Sequence, residues 1–179
     1  MKGIVFTEFL EMVEEKYGLE MVDDIIENTN LQSQGAYTSV GTYAFSEMLQ
    51  LLQNLSLKTK ILVDDLLLIY GEHFFNLLEK NYPSFFSVYH DPIQMLASIE
   101  DHIHVEVLKI YPDAELPTFE VVYRKQDTLI MIYKSSRAMH HFGLGLMHKT
   151  FEYFNSKATI VLEKIKQDGT EVKFVITKN

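Results

Sequence analysis

Apolar residues recur at three- and four-residue spacing over roughly the first 112 positions, and that period predicts helices. Phe6, Phe9, Leu10, Val13 and Tyr17 form one stripe that stops at Gly18, and Met21, Val22, Ile25 and Ile26 form a second. Residues 28–42, rich in Asn, Gln, Ser and Gly, break the pattern and predict a loop with no evident chemistry. Further helices are expected at about 44–55, 59–80 and 92–110. The last starts after Asp91-Pro92 and stops before Tyr111-Pro112, where proline removes a donor and restricts its predecessor.

Beyond Pro117 the period shortens to two. Thr118 to Arg124 and Thr128 to Tyr133 predict a hairpin joined across Lys125-Gln126-Asp127. Ala138 to Asn155 returns to helical spacing through Met139, Phe142, Leu146, Thr150, Phe151 and Phe154. Two last strands, 159–165 and 171–176, flank Asp168-Gly169, a strong hairpin signal. Helices, hairpin, helix, hairpin is the order of an α+β domain, with an antiparallel four-stranded sheet beside a helical lobe. No repeat, low-complexity tract or long linker divides the chain, so residues 1–179 read as a single domain.

Charge and composition narrow the function. Sixteen Lys and Arg against 25 Asp and Glu give a net charge of -9, which on average repels nucleic acid and anionic membrane, and no basic patch offsets it. Cysteine is absent, excluding disulfides, cysteine-ligated zinc, iron–sulfur clusters and thiol catalysis, in keeping with a reducing cytoplasm. Glu8, Glu11, Glu14 and Glu15 interrupt any signal-peptide core. The apolar stretch from Ile61 to Tyr70 carries Asp64 and Asp65 and falls short of the about 20 residues a bilayer requires. A cytoplasmic protein with no membrane span is expected.

Candidate chemistry is confined to a few places. Of the histidines, His102 and His104 fall on a predicted helix, where positions two apart point about 200° from each other and cannot share one metal. With Leu96, Ile99, Ile103 and Val107 as the buried stripe, His104 falls on one flank with Ala97, Leu108 and Tyr111 and faces the interior. His102 falls on the other, beside Glu106 and Lys109, and faces solvent. A buried His104 fits either a hydrogen-bonded core histidine or a single axial ligand to haem iron. His140 and His141 read as surface or rim residues, and the pattern gives no role to His90 or His148. In extended chain Tyr133, Ser135 and Arg137 share a face, bringing a phenol, a hydroxyl and a guanidinium together as donors that hold a carboxylate or phosphate. Their partner is a ligand's acid group, a carboxylate of the protein itself, or solvent. Gly143 and Gly145 cost a helix roughly 1 kcal/mol each against alanine, which fits either close approach of another surface or ordinary packing. Asp23-Asp24 and Asp64-Asp65 read as solvated helix faces. Walker, nucleophile-elbow, zincin and EF-hand motifs are missing, so the chain is not expected to be an enzyme.

A buried histidine, a Tyr-x-Ser-x-Arg clasp and apolar bulk together describe what protohaem requires. The whole chain resembles the H-NOX (haem-nitric oxide/oxygen binding) family, related to the haem domain of soluble guanylate cyclase. Tyr133, Ser135 and Arg137 match its most specific motif, His104 stands seven residues before Tyr111-Pro112 as its proximal histidine does, and Pro117 matches a proline that presses on the macrocycle. Met1-Lys2-Gly3 and Tyr70-Gly71 also look like family features.

The resemblance implies a helical lobe over about 1–60 and a haem-binding lobe over about 61–179, with the haem between them. It implies noncovalent haem b (protoporphyrin IX iron), propionates in the Tyr133/Ser135/Arg137 clasp, iron on Nε2 of His104, and a distal pocket of Val5, Phe9, Phe74, Leu78, Phe142 and Leu146. Oxygen-binding members carry a tyrosine five residues after the motif's arginine; here that position is Phe142. Bound O₂ needs a hydrogen-bond donor and NO does not, so nitric oxide is the expected ligand over O₂, with carbon monoxide as another. In the expected switch NO weakens the His104–iron bond, strain against Pro117 relaxes and the helical lobe shifts. The zinc site of some bacterial relatives is not expected, because its cysteines are missing. Output is expected through a separate partner, a histidine kinase or a cyclic-di-GMP-metabolising enzyme. The competing reading is a nonhaem regulatory module that holds a small anionic or lipid ligand in the same cavity, with Arg137 as anchor; a haem peroxidase is disfavoured by a phenylalanine-lined wall without an acid–base pair.

Overall fold

The computed structural model describes residues 1–179, which divide into two compact units, Met1–Tyr70 and Gly71–Asn179. In the first unit, α1 (Gly3–Tyr17) buries Phe6, Phe9, Met12 and Val13; α2 (Leu19–Glu27) buries Val22 and Ile25; α3 (Phe45–Thr59) buries Met48, Leu51, Leu52 and Leu55. The chain start is held to the later loop: the terminal ammonium donates to the Tyr43 carbonyl at 2.8 Å and Gly3 N to the Gly41 carbonyl at 2.7 Å. Gly3 has no substitute there, since a Cβ would lie 1.8 Å from the Thr38 carbonyl oxygen.

The 28–42 segment contains no helix or strand, as its composition predicts, but its order comes from the next element. Glu47, in the first turn of α3, is only 4% exposed, and its carboxylate accepts from Ser33 N at 3.3 Å, from the Ser33 hydroxyl and from the Tyr37 hydroxyl at 2.7 Å. Burial pushes the Tyr37 phenol well up, so it stays a donor. The Tyr37 ring stacks on Phe6 with centroids 4.5 Å apart.

Two helix boundaries differ from the periodicity. α3 runs on to Thr59 and stops because Lys60 takes a left-handed conformation (φ 63°), its N–H bonding back to the Ser56 carbonyl at 2.9 Å. α4 (Val63–Asn81) therefore begins four residues later than expected. No helix is long and apolar enough to cross a membrane.

The second unit opens with the later part of α4, followed by a 3₁₀ turn (Pro83–Phe85) and α5 (Pro92–Leu96). The single helix expected over 92–110 is three pieces: α5, a π turn (Ile99–Ile103) and α6 (His104–Ile110). The Ser98 carbonyl causes the break, because it accepts both from His102 N at 2.9 Å and, one residue further on, from Ile103 N at 3.3 Å. Phe75, Phe85, Phe86, Tyr89 and Met95 form a cluster beneath this segment, with Leu78, Ile103, Val107, Leu146 and Phe154 packed around it.

Four strands follow: β1 (Thr118–Arg124), β2 (Thr128–Lys134), β3 (Ala158–Lys164) and β4 (Glu171–Lys178), all antiparallel in the order β1-β2-β4-β3. Alternation along β2 and β4 buries Leu129, Met131 and Tyr133 opposite Ile176, Phe174 and Val172. α7 (His140–Tyr153) is shorter than the predicted 138–155, because Ala138 (φ 50°) and Asn155 (φ 51°) both adopt left-handed backbone at its ends. The helices, the antiparallel sheet and their order make this the α+β fold that the sequence predicts.

Candidate functional site

His104 is the first residue of α6, at the exit of the π turn, with its side chain 15% exposed. Its Nδ1 lies 3.1 Å from Oε1 of Glu100, and the same oxygen accepts the Phe119 N–H at 2.7 Å. Burial lowers the His104 pKa while Glu100 pulls the other way, with a net downward direction that keeps the ring neutral at pH 7. An ionised carboxylate only accepts, so Nδ1 carries the proton and donates to Glu100, and Nε2 presents its lone pair. The imidazole packs 6.1 Å from the Phe119 ring.

His102 does not face solvent, contrary to the wheel. The π turn adds a residue to the repeat and shifts its phase, so His102 is half-buried, with Nδ1 2.6 Å from the Tyr89 hydroxyl. Tyr89, Glu100 and Glu115 all went unread in the sequence. A signal existed for Glu100, which stands four residues before His104 and so shares its side of a helix.

The geometry of the clasp also needs correction. Tyr133 sits buried on β2, but the strand ends at Lys134, and Ser135 and Arg137 occupy a turn rather than an extended continuation. Ser135 N donates to the Thr170 carbonyl at 2.9 Å, Ala138 N to the Ser135 carbonyl at 3.2 Å, and Arg137 N to the Ser135 hydroxyl at 3.2 Å. The turn still gathers the three side chains. Burial pushes the Tyr133 phenol up against the Ser135 hydroxyl, the Met139 amide and the Arg137 charge, which act in the other direction. Arg137, 16% exposed, donates to the Glu115 carbonyl at 2.6 Å and to the Glu115 carboxylate. Of the partners considered, it is the protein's own carboxylate that Arg137 holds, on a side chain 83% exposed. Pro117 lies between Glu115 and β1 and is half-buried.

His140 is buried, only 4% exposed, and not the surface or rim residue expected; its ring lies 6.3 Å from Tyr133 and 4.5 Å from His141, which is half-buried. The chain can bring His140 inside because Gly169, with φ 76°, has no Cβ; one there would sit 2.7 Å from the His140 Cε1. His148 is exposed, 3.6 Å from Glu72, and His90 is exposed.

Phe74 and Phe142 meet edge to face at 5.5 Å, and Leu78 and Leu146 pack on the cluster around Phe75 and Phe86. Val5 and Phe9 belong to the first unit, where the Val5 carbonyl accepts from the Tyr70 hydroxyl and Phe9 meets the Tyr70 ring at 5.4 Å. The two readings of the α7 glycines separate. A Cβ on Gly71 would meet the Phe142 carbonyl oxygen at 2.1 Å and Gly145 Cα at 3.1 Å, so α4 and α7 approach closely at Gly145, whereas Gly143 makes ordinary contact with Phe119.

The donor set suits an iron porphyrin. A neutral imidazole with one nitrogen already committed suits a metal, and a guanidinium gripping a carboxylate suits a propionate.

Residues 2–162 match the sequence model of the haem-NO-binding family. An H-NOX protein from K. algicida, solved as the unliganded Fe(II) form, is 70% identical over 100% of this chain and 97% of its own, with a TM-score of 0.98. An H-NOX from Shewanella woodyi, solved in solution with IWP-051 bound in the Fe(II)CO state, is 37% identical over 100% and 95%, with a TM-score of 0.83. An H-NOX protein from S. oneidensis in the Fe(II)NO state, 23% identical over 100% and 99%, shares the fold with a TM-score of 0.91. No curated protein matches the chain. The chain belongs to the haem-NO-binding, or H-NOX, family of haem-based gas-sensor domains, which are not themselves enzymes.

Proposed function

We propose that this H-NOX domain holds haem b noncovalently, with His104 as the protein's ligand to iron, and serves as a nitric oxide receptor that signals to a separate protein. The observation that carries the reading is His104 itself: a mostly buried, neutral imidazole whose Nδ1 is committed to Glu100, which leaves Nε2 to bind. When bound, the haem supplies a ferrous iron that takes a diatomic gas.

The chain's residues divide the remaining work. Arg137 exchanges the exposed Glu115 carboxylate for a propionate, which needs no new charge in the site. Tyr133, kept protonated by burial, and Ser135 add hydroxyl donors beside it. Pro117, with its fixed backbone angle, gives the ring a rigid edge at the entrance to β1. On the gas side, Phe74 and Phe142 present hydrocarbon, with Val5, Phe9, Leu78 and Leu146 as the other wall residues. A phenylalanine wall gives no hydrogen bond to the partial negative charge of bound O₂, while NO needs none, so the wall selects NO over O₂; carbon monoxide is a further ligand. The protein acts in the cytoplasm without zinc, and its output is a histidine kinase or a cyclic-di-GMP-metabolising enzyme.

The test is the absorption spectrum of the ferrous protein with and without NO, and in air. The expected results are a stable NO complex and no stable oxy complex. His104→Gly loses the protein–iron bond and regains a ligated spectrum with added imidazole, whereas His102→Gly keeps the wild-type spectrum. A stable oxy complex overturns the gas assignment, and wild-type ligation in His104→Gly overturns the choice of ligand.

A further inference from the structure

Oε1 of Glu100 receives two donors from different elements, Nδ1–H of His104 at 3.1 Å and N–H of Phe119 at 2.7 Å. We propose that Glu100 is a positioning residue that fixes the tautomer and aim of the His104 imidazole and fastens that ring to the start of β1. The inference rests on the reading of His104 as the iron ligand and extends it to a residue outside the motif.

The chemistry follows from the shared oxygen. A carboxylate accepting from Nδ1–H excludes the tautomer that would place the proton on Nε2, and it makes Nε2 a stronger electron donor. It also limits ring rotation, because the acceptor is anchored by a second bond. That second bond leads to the clasp: Phe119 stands two residues after Pro117, and its ring packs 5.4 Å from the Tyr133 ring and 6.1 Å from the imidazole. A displacement of His104 therefore stretches the Glu100 link, and the amide at the head of β1 feels it. The π turn makes the arrangement, since Glu100 lies within it and His104 directly follows. A role confined to capping the Phe119 N–H would change stability alone and leave the histidine's donor strength untouched.

The experiment uses ferrous holoprotein and the iron–histidine stretching band in resonance Raman spectra, with Glu100→Gln, Glu100→Ala and, as control, Glu106→Gln. The band is expected to move to lower frequency in both Glu100 variants, further in Glu100→Ala, and to stay in place in the control. Glu100→Ala should lose haem to excess apomyoglobin roughly 10- to 100-fold faster, the range typical for removing a partner of a metal-binding histidine. Amide hydrogen exchange at Phe119 should also accelerate. An unshifted band in Glu100→Gln, with haem retained, overturns the proposal and leaves His104 ligation standing; that isosteric variant decides the matter if Glu100→Ala does not fold. A wild-type protein with bound haem but no iron–histidine band removes the ligation reading and this inference with it.

Discussion

Replacing Asp91 by alanine removes three interactions at once from the start of α5, the helix that leads to His104. The Asp91 carboxylate accepts from Ile93 N at 2.9 Å and Gln94 N at 3.2 Å, and its other oxygen pairs with Lys178 near the end of β4. Losing such a cap costs about 0.5–2 kcal/mol, and a partly exposed ion pair adds at most about 1 kcal/mol. A total near 2 kcal/mol corresponds to a fall of roughly 4–8 °C in Tm for a protein of this size. The pH dependence has a definite sign. Burial pushes the Asp91 carboxyl up, but the bond and charge of Lys178, with the N–H groups of Gln94 and Ile93, outweigh it and hold the pKa below the ordinary range. A carboxyl depressed in the folded state contributes stability above its unfolded pKa of about 3.9, and that contribution is lost as pH falls through the folded value. The gap between wild type and Asp91→Ala should be full at about pH 7 and should shrink as pH drops below about 4, while Asp91→Asn, which keeps the cap acceptor, should lose under about 1 kcal/mol at neutral pH. Urea unfolding across this range measures it. Equal stability of Asp91→Ala and wild type at neutral pH, or a gap that does not narrow in acid, refutes the reasoning.

Gly169→Ala forces a Cβ onto a left-handed backbone and against the buried His140 ring, and should destabilise by about 2–4 kcal/mol in chemical denaturation; a loss under about 0.5 kcal/mol would mean the ring moves aside freely. Phe142→Tyr puts a hydroxyl beside Phe74 and should give the ferrous protein a measurable oxygen complex by spectroscopic titration; unchanged oxygen affinity would place residue 142 away from the bound gas.

Elements whose periodicity ended in strong punctuation were legible. β1 occupies 118–124 as predicted, because alternation there is bounded by Pro117 on one side and a polar turn on the other. The helix ends at Lys60, Ala138 and Asn155 were not, since each turns left-handed without a glycine to signal it. The π turn was hidden for a different reason. Residues 92–110 keep helical spacing throughout, and the irregularity lies in one carbonyl, that of Ser98, taking a second donor. That hidden residue of phase is why His102 was assigned to solvent when it pairs with Tyr89. The gathering of Tyr133, Ser135 and Arg137 was readable from residue types, but the turn that achieves it was not. Glu47 stayed silent because a glutamate early in a helix reads as a solvated end, and only the fold shows it buried under the 28–42 segment.

The π turn also sets how tolerant this stretch is to a change in length. Deleting any one residue of 99–103 would let the backbone settle into a smoother, conventional coil with better hydrogen bonds. Everything after the deletion would then swing by about 100° around the axis and slide by about 1.5 Å, carrying the imidazole at position 104 out of line with the strand it now addresses. Local backbone regularity and correct aim oppose each other here, and this segment resolves the conflict in favour of aim.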